Sequence, residues 1–153
     1  MRFEQGDWYD LEPRVNTDGV ISLQTLSWLP DYQQPLAQIF TKLAPRWVAM
    51  SSLFYNGAVS CKIEVTEHKH ERTSFYNVYS LPVIDEFCRR FGYRLTRSEP
   101  FQIDIDLPKP ENRDEMGSYT VNVSADAGAK SERLQISGPL LMNWHFILIE
   151  KLT

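Results

Sequence analysis

The sequence predicts an α/β fold, because a strand, a helix and a second strand follow one another in its first part. Residues 18–29 begin with an acidic residue and continue as a mostly apolar run, which is typical of a buried parallel strand. Residues 32–43 carry apolar side chains at the one-sided spacing of a helix that packs on a sheet, and residues 47–54 form a second apolar run. Such crossover units are parallel and right-handed with few exceptions, so we expect an open, doubly wound sheet.

The first strand ends in polar residues. We expect three of its apolar residues in the core, namely Val20, Ile21 and Leu23. Ser22 and Gln24 lie toward the carboxyl end of this strand. Ligands of doubly wound sheets bind outside the carboxyl ends of the strands, so we expect these polar side chains and the following loop to face a ligand crevice.

Beyond residue 54 the sequence predicts an insertion and then a helix. Residues 55–79 mix polar, aromatic and alternating apolar positions, which favours an inserted β-hairpin. The next segment has Ser80 as a candidate N-cap, a proline in the first turn, acidic residues early, arginines late, and Gly92 as the stop. These signals predict a helix between Ser80 and Gly92.

The remaining sequence predicts two more strands of the main sheet and a second insertion between them. We expect the strands at residues 93–99 and 144–150. Within an insertion at about residues 102–142, residues 118–123 and 133–137 alternate around a polar loop, which favours a hairpin.

Length and composition narrow the class of protein. A chain of 153 residues with 42% hydrophobic residues fits one domain with a single core. The net charge of −4 argues against a nucleic acid partner, which would require a basic face. No run approaches the roughly 18 apolar residues that a membrane span needs, so we expect no membrane partner and a cytoplasmic location. The two cysteines, Cys61 and Cys88, form neither a disulfide framework nor a zinc signature.

Three segments occur in an order that points to one enzyme family. The segment Phe3-Glu-Gln-Gly-Asp7 ends in Gly-Asp, residues 18–30 form the first strand and its loop, and Leu43-Ala-Pro45 precedes the strand at residues 47–52. This order resembles the carboxyl-terminal half of class I S-adenosylmethionine-dependent methyltransferases, including their fourth and fifth strands. The family's usual Gly-Gly after the proline is replaced here by Arg46-Trp47. Three later segments resemble a bacterial subgroup of the family, at residues 76–79, 103–110 and 134–138.

The resemblance implies a Rossmann-like, three-layer αβα sheet that is present here only as its carboxyl-terminal half, with two hairpin insertions. The complete enzyme would move a methyl group from S-adenosylmethionine to a small-molecule or glycan-type acceptor, with no metal required. The family builds its cofactor site mainly from a Gly-rich turn after its first strand. No G-x-G-x-G motif occurs in this sequence, so the main half of the cofactor pocket is missing.

The resemblance also implies cofactor contacts at two places in the chain. Asp7, with Trp8 beside it, would approach the adenine, where a carboxylate can accept a hydrogen bond from the exocyclic amine. Gln24 would lie near the methyl-donor centre and would line the central crevice together with Trp28. The alternative for Asp7 is a structural one, in which it caps the turn after Gly6.

The acceptor side is expected to include aromatic residues and a pair of carboxylates. Tyr55, Tyr76 and Tyr79 could line one pocket, although packing in the core explains the same rings. Asp104 and Asp106 alternate with aliphatic residues, which places both carboxylates on one face of an extended segment. Such a pair could contact substrate or bind a divalent ion, or it could belong to a solvated edge strand.

The histidines are weaker candidates for a functional site. His68 and His70 would share one face of an extended segment, as two metal ligands would need, but a solvated hairpin tip of mixed charge explains them equally well. We therefore expect no metal site. His145 lies within an apolar strand, where a hydrogen-bonded packing role is the simpler interpretation.

Two functions of other classes stay open. One is a non-catalytic α/β interaction module or partner subunit, and the other is a metal-using glycosyltransferase fragment centred on Asp104 and Asp106. In the family the fourth strand lies beside the first, so a chain without the first strand leaves residues 18–29 at an open sheet edge. We expect self-association or binding of a partner chain through residues 18–29 and the following helix at residues 32–43. We also expect a charge at Ile21 or Leu23 to disrupt both the core and the association.

Overall fold

The computed structural model describes residues 5–14, 16–101, 105–109, 118–123, 132–137 and 144–152. These residues form a mixed α/β structure that contains a five-stranded sheet and two α-helices, which confirms the α/β class. None of the helices within the described ranges is long and apolar enough to cross a membrane.

The described elements follow the expected order along the chain. The strands are β1 (Gly19–Leu23), β2 (Trp47–Tyr55), β3 (Glu64–Glu67), β4 (Arg72–Phe75), β5 (Tyr79–Ser80), β6 (Tyr93–Phe101), β7 (Ser118–Val123), β8 (Glu132–Ser137) and β9 (Trp144–Lys151). The helices are α1 (Gln33–Gln38) and α2 (Leu81–Arg89), with a 3-10 helix at Leu26–Trp28 and a π-helical turn at Ile39–Leu43.

The main sheet has the strand order β1-β2-β9-β6, and the short strand β5 pairs with the end of β2. β1 and β2 are parallel, as the crossover unit predicts. The last strand, β9, runs antiparallel between β2 and β6. β1 therefore forms one edge of the sheet.

Local sequence signals explain α2 fully. The Ser80 hydroxyl accepts a hydrogen bond from the Val83 amide at 3.4 Å, and Pro82 occupies the first turn. The Arg89 side chain forms an ion pair with Asp85, four residues earlier, at 2.9 Å. Gly92, just past the helix, has φ of 76°, a conformation in which glycine carries no steric penalty.

The predicted helix at residues 32–43 changes geometry halfway along its length. α1 ends at Gln38 and the chain continues as a π-helical turn to Leu43. Within that turn Ile39 and Phe40 are both buried. Ala44 adopts a left-handed conformation with φ of 43°, which ends the helix before Pro45.

Both helices pack on the same face of the sheet. One hydrophobic cluster joins Leu36 and Phe40 of the first helical segment, Ile84 of α2, and Val48 and Ile149 of the sheet. The opposite face carries no helix within the described part of the chain. These residues therefore show two layers, whereas the resemblance implies three.

The burial of β1 corrects the prediction made from its sequence. Ile21 is 66% exposed and Leu23 is 62% exposed, so neither belongs to the core. Ser22 is 3% exposed on the helix-covered face, together with the partly buried Val20, instead of facing a crevice. Alternate residues of a strand face opposite sides of the sheet. In the described parts of the chain, β1 has no second neighbouring strand and no helix on the face that carries Ile21 and Leu23.

Both predicted insertions contain a hairpin, but only the second hairpin has bounds close to the predicted ones. The first hairpin is β3–β4, which is shorter than the predicted 55–79 segment, while Cys61 makes only an isolated bridge to Val78. The second hairpin, β7–β8, lies where it was expected. Residues 105–109 are not a strand, and Leu107 instead exchanges hydrogen bonds with Thr120 of β7 at 2.8 and 3.1 Å.

Candidate functional site

Buried polar side chains fix the loop that follows β1 at the carboxyl ends of the parallel strands. We call Ser27, Ser52, Asn77 and Tyr79 the loop clamp; each is fully buried. The hydroxyl oxygens of Ser27 and Ser52 lie 2.5 Å apart. The Ser27 amide donates to the Ser52 hydroxyl at 2.9 Å, and the Leu53 amide donates to the Ser27 hydroxyl at 3.0 Å. The loop is thereby joined to the interior of β2.

Asn77 supplies the second attachment of the loop. Its backbone amide donates to the Ser27 carbonyl at 2.8 Å, and its side-chain amide donates to the Leu29 carbonyl at 2.8 Å and to the Tyr79 hydroxyl at 3.0 Å. Its side-chain oxygen accepts from the Ile63 amide at 2.9 Å. One asparagine therefore connects the loop, the β5 segment and the chain that leads into β3.

Tyr76 and Tyr79, two of the predicted acceptor residues, have their rings inside the protein. Tyr79 is fully buried and its hydroxyl donates to the Leu29 carbonyl at 3.3 Å; burial raises its pKa. Tyr76 is 2% exposed and packs with Leu53 and Val78. Neither ring presents surface to a ligand in this structure, and both help to hold the loop.

The clamp leaves three of the predicted site residues exposed near the carboxyl ends of β1 and β2. Gln24 follows β1 directly, is exposed, and adopts φ of 56°, while its amide donates to the Ser51 carbonyl at 2.7 Å. Trp28 is 44% exposed, and its ring meets Tyr76 edge-on at 5.2 Å between centroids. Tyr55, the last residue of β2, is 43% exposed. We take these three exposed side chains as the candidate site because of their positions at and beyond the ends of the two strands.

Asp7 and Trp8 lie in a separate turn. The Asp7 carboxylate accepts from the Tyr9 amide at 2.9 Å, and its carbonyl accepts from the Asp10 amide at 3.1 Å, so Asp7 caps a turn as in the structural alternative. Trp8 packs partly against the core. Asp7 lines an open groove of about 590 Å³ whose described lining does not include Gln24 or Trp28.

Of the predicted carboxylate pair, the structure describes only Asp106. Asp104 lies outside the described residues. Asp106 is exposed and pairs with Arg133 of β8 at 3.0 Å. Within the described ranges no three histidine, cysteine or acidic side chains converge to hold a metal ion.

Two of the histidines, His70 and His145, contact polar side chains of the fold. At the tip of the β3–β4 hairpin, His70 contacts the carboxylate of Glu67 through Nδ1. His145 is 4% exposed and its Nδ1 lies 3.1 Å from the Ser98 hydroxyl, in agreement with the expected packing role. Burial lowers the pKa of His145.

The two cysteines should differ strongly in reactivity. Cys88 is fully buried, and burial together with the nearby Asp85 raises the pKa of its thiol from 9.0 to about 12. At pH 8 this shift leaves far less thiolate at Cys88 than at a thiol of ordinary pKa. We expect a disulfide reagent to label one thiol of the native protein, at Cys61, and to label Cys88 only after denaturation. A Cys61→Ser variant should be nearly inert, and rapid labelling of that native variant would contradict the expectation.

The loop clamp was not predicted from the sequence. Ser27 and Ser52 interrupt apolar runs, and Asn77 lies among aromatic residues. A polar residue inside an apolar run implies a buried hydrogen-bond partner, which is the signal that was present. The sequence could not show that these three residues bind one another.

Comparison with known proteins gave no match among family models, curated sequences or solved structures.

Proposed function

We propose that this chain forms the acceptor-side half of a class I, Rossmann-like S-adenosylmethionine-dependent methyltransferase, whose cofactor-binding half comes from another polypeptide segment. The acceptor would be a small molecule or a glycan. The observation that supports the proposal best is the clamped loop, which presents Gln24 and Trp28 at the carboxyl end of β1, beside an open sheet edge. Ligands of open α/β sheets bind in this position.

The exposed side chains of the candidate site suit the cationic centre of this cofactor. When bound, S-adenosylmethionine supplies the methyl group on an electrophilic sulfonium, so the protein has chiefly to align the reactants and exclude water. The face of the Trp28 ring can attract a sulfonium by cation–π interaction. The Gln24 amide offers both a donor and an acceptor at the same strand end. Tyr55 would face the acceptor.

The open edge explains how a second segment would complete the site. Within the residues that the structure describes, β1 pairs with β2 alone, and its Ile21 and Leu23 side chains are exposed. A further strand beside β1 would bring its own carboxyl end next to Gln24. Half of the ligand contacts would then come from that strand and its following loop.

Weak binding of the cofactor by this chain alone is the expected result that tests the proposal. With half the contacts missing, we expect calorimetry to show no saturation by S-adenosylmethionine below about 1 mM, which corresponds to a binding free energy of about −4 kcal/mol or weaker. At millimolar cofactor, NMR should show shifts of the Trp28 indole and the Gln24 side-chain amide.

The Trp47 indole provides an internal control, because Trp47 begins β2 at the opposite end of the sheet. Its resonance should not move. Micromolar affinity would show that the chain already holds a complete site. Shifts at Trp47 equal to those at Trp28, or none at Trp28, would contradict the proposed position of the cofactor.

A second candidate function is a non-catalytic interaction module. The loop clamp favours it, because the polar groups of Ser27, Ser52 and Asn77 are bound to one another and to the backbone. Such a module would use the sheet edge for association while its carboxyl-end loop served only as structure. Retained association without any shift at Trp28 would favour this candidate over methyl transfer.

A further inference from the structure

Among the described strands, none pairs with the outer side of β1, so its outward backbone groups have no strand partner there. The Gln24 amide donates to Ser51, and the Arg46 amide donates to Asp18, so the even-numbered residues of this segment direct their backbone groups toward β2. In a parallel strand the N–H and C=O groups of successive residues point to opposite sides, so those of the odd-numbered residues point away from β2. The residues with outward N–H and C=O groups are Gly19, Ile21 and Leu23.

The edge strand and the segment that follows it in the sequence carry little charge. Residues 19–41 contain one charged residue, Asp31, whereas charged residues make up 24% of the chain. Edge strands that must remain single commonly carry lysines, prolines or bulges, and β1 has none of these. Depletion of charge is instead typical of the centres of protein interfaces.

We propose that a second copy of this chain binds at this edge, with the two β1 strands antiparallel across a two-fold axis at Ile21. Each copy carries a net charge of −4, so two copies can approach closely only through a surface with few carboxylates. The edge formed by β1 meets that requirement, because residues 19–23 include no charged residue. In a two-fold dimer both copies use the same surface, so one uncharged edge is enough for the contact.

The register around Ile21 is self-complementary. Ile21 lies opposite the second copy's Ile21, and Gly19 lies opposite the second copy's Leu23. A Cβ built on Gly19 would overlap the Trp47 indole, so that ring lies against the glycine and offers a surface for the incoming leucine. Asp18 meets the second copy's Gln24, so no like charges are paired.

The same register satisfies the backbone of both edges. Three pairs of residues with outward N–H and C=O groups face each other: the two Ile21 residues, and Gly19 with Leu23 twice. Each pair can exchange two backbone hydrogen bonds, about six in total. Ile21 and Leu23, now 66% and 62% exposed, would become central in a sheet that continues through both copies. This pairing uses the edge that the proposed methyltransferase needs, so dimerisation and completion of that enzyme would exclude one another.

Sedimentation velocity of the full chain tests the pairing. We expect the wild type to dimerise and Ile21→Lys to weaken dimerisation at least tenfold, because two lysines would face each other at the axis. Ile21 is exposed, so this variant should keep the wild-type circular dichroism. The control Val59→Lys changes a side chain that is 59% exposed outside the edge, and it should dimerise normally. A monomeric wild type, or equal dimerisation of both variants, would overturn the proposal.

Cysteine cross-linking tests the register, in a Cys61→Ser background. The two Ile21 Cα atoms would lie about 5.5 Å apart, within the range of a disulfide, so Ile21→Cys should form a covalent dimer under mild oxidation. The two Leu23 positions would be offset by four residues, about 14 Å along the strand, so Leu23→Cys should not. Cross-linking at Leu23 as efficient as at Ile21 would rule out this register. These results do not depend on cofactor binding, so they fail or succeed separately from the proposed function.

Discussion

Asn77→Ala should lower the free energy of unfolding by about 3 kcal/mol, because it removes one donor and one acceptor at buried or half-buried backbone groups. The Ile63 amide loses its acceptor, and the Leu29 carbonyl loses one of its two side-chain donors and keeps only the Tyr79 hydroxyl at 3.3 Å. An unsatisfied buried group costs roughly 1–3 kcal/mol. Urea unfolding followed by tryptophan fluorescence measures the change, and the melting temperature should fall by roughly 6–12 °C.

The matched control is Asn56→Ala, since Asn56 is exposed in the turn after β2. It should change the stability by no more than about 0.5 kcal/mol. A second variant, Asn77→Asp, keeps the acceptor for Ile63 but loses the amide donor to Leu29 and introduces a charge at a fully buried site. It should destabilise at least as much as the alanine variant. Equal stability of Asn77→Ala and Asn56→Ala would show that the clamp contributes little.

Elements whose signals lie within a few residues were predictable from the sequence. α2 is the best example, because Ser80, Pro82 and Gly92 fix both of its ends through local contacts. The parallel pairing of β1 with β2 was also predictable, because a crossover of this length allows few other arrangements. The finer assignment to a methyltransferase sheet is still a proposal.

Burial could not be predicted where it depends on distant parts of the chain. Ile21 and Leu23 have the composition of core residues, and their exposure depends on the absence of a strand or helix beside them in the described structure. The same limitation applies to Tyr79. An aromatic side chain that lines a pocket and one that fills the core look alike in a sequence. The full burial of Tyr79 and its hydrogen bond to Leu29 show that this ring belongs to the core.

The positions of two candidate residues were predictable, whereas their role in a site is still a proposal. Gln24 and Trp28 were located by the general position of ligands in α/β sheets, and the structure places both side chains at the exposed end of β1. The attachment of the loop by Asn77 was missed because its partners in the loop, Leu29 and Ser27, lie 48 and 50 positions earlier. Contacts of that separation leave no local pattern.

Phe40→Ala should be the most destabilising single truncation in the core, with a loss of about 4 kcal/mol. The Phe40 ring stacks on Tyr93 at 4.3 Å and meets Phe91 at 5.6 Å between centroids. It therefore joins the π-helical turn to the end of α2 and the start of β6. Removing it leaves a cavity where both helical segments pack on one face of the sheet. Total stabilities of such domains are about 5–15 kcal/mol, so the variant should be partly unfolded at moderate temperature.

Phe101→Ala is the matched control for this truncation. Phe101 ends β6, is 38% exposed, and contacts Phe146 at 5.4 Å between centroids. Because its ring already meets solvent, its loss should cost less than half as much as the loss of Phe40. Urea unfolding of the two variants under the same conditions gives the comparison. Equal destabilisation by Phe101→Ala and Phe40→Ala would contradict the two-layer core. The helix-free face of the sheet would then contribute as much stability as the face that carries the helices.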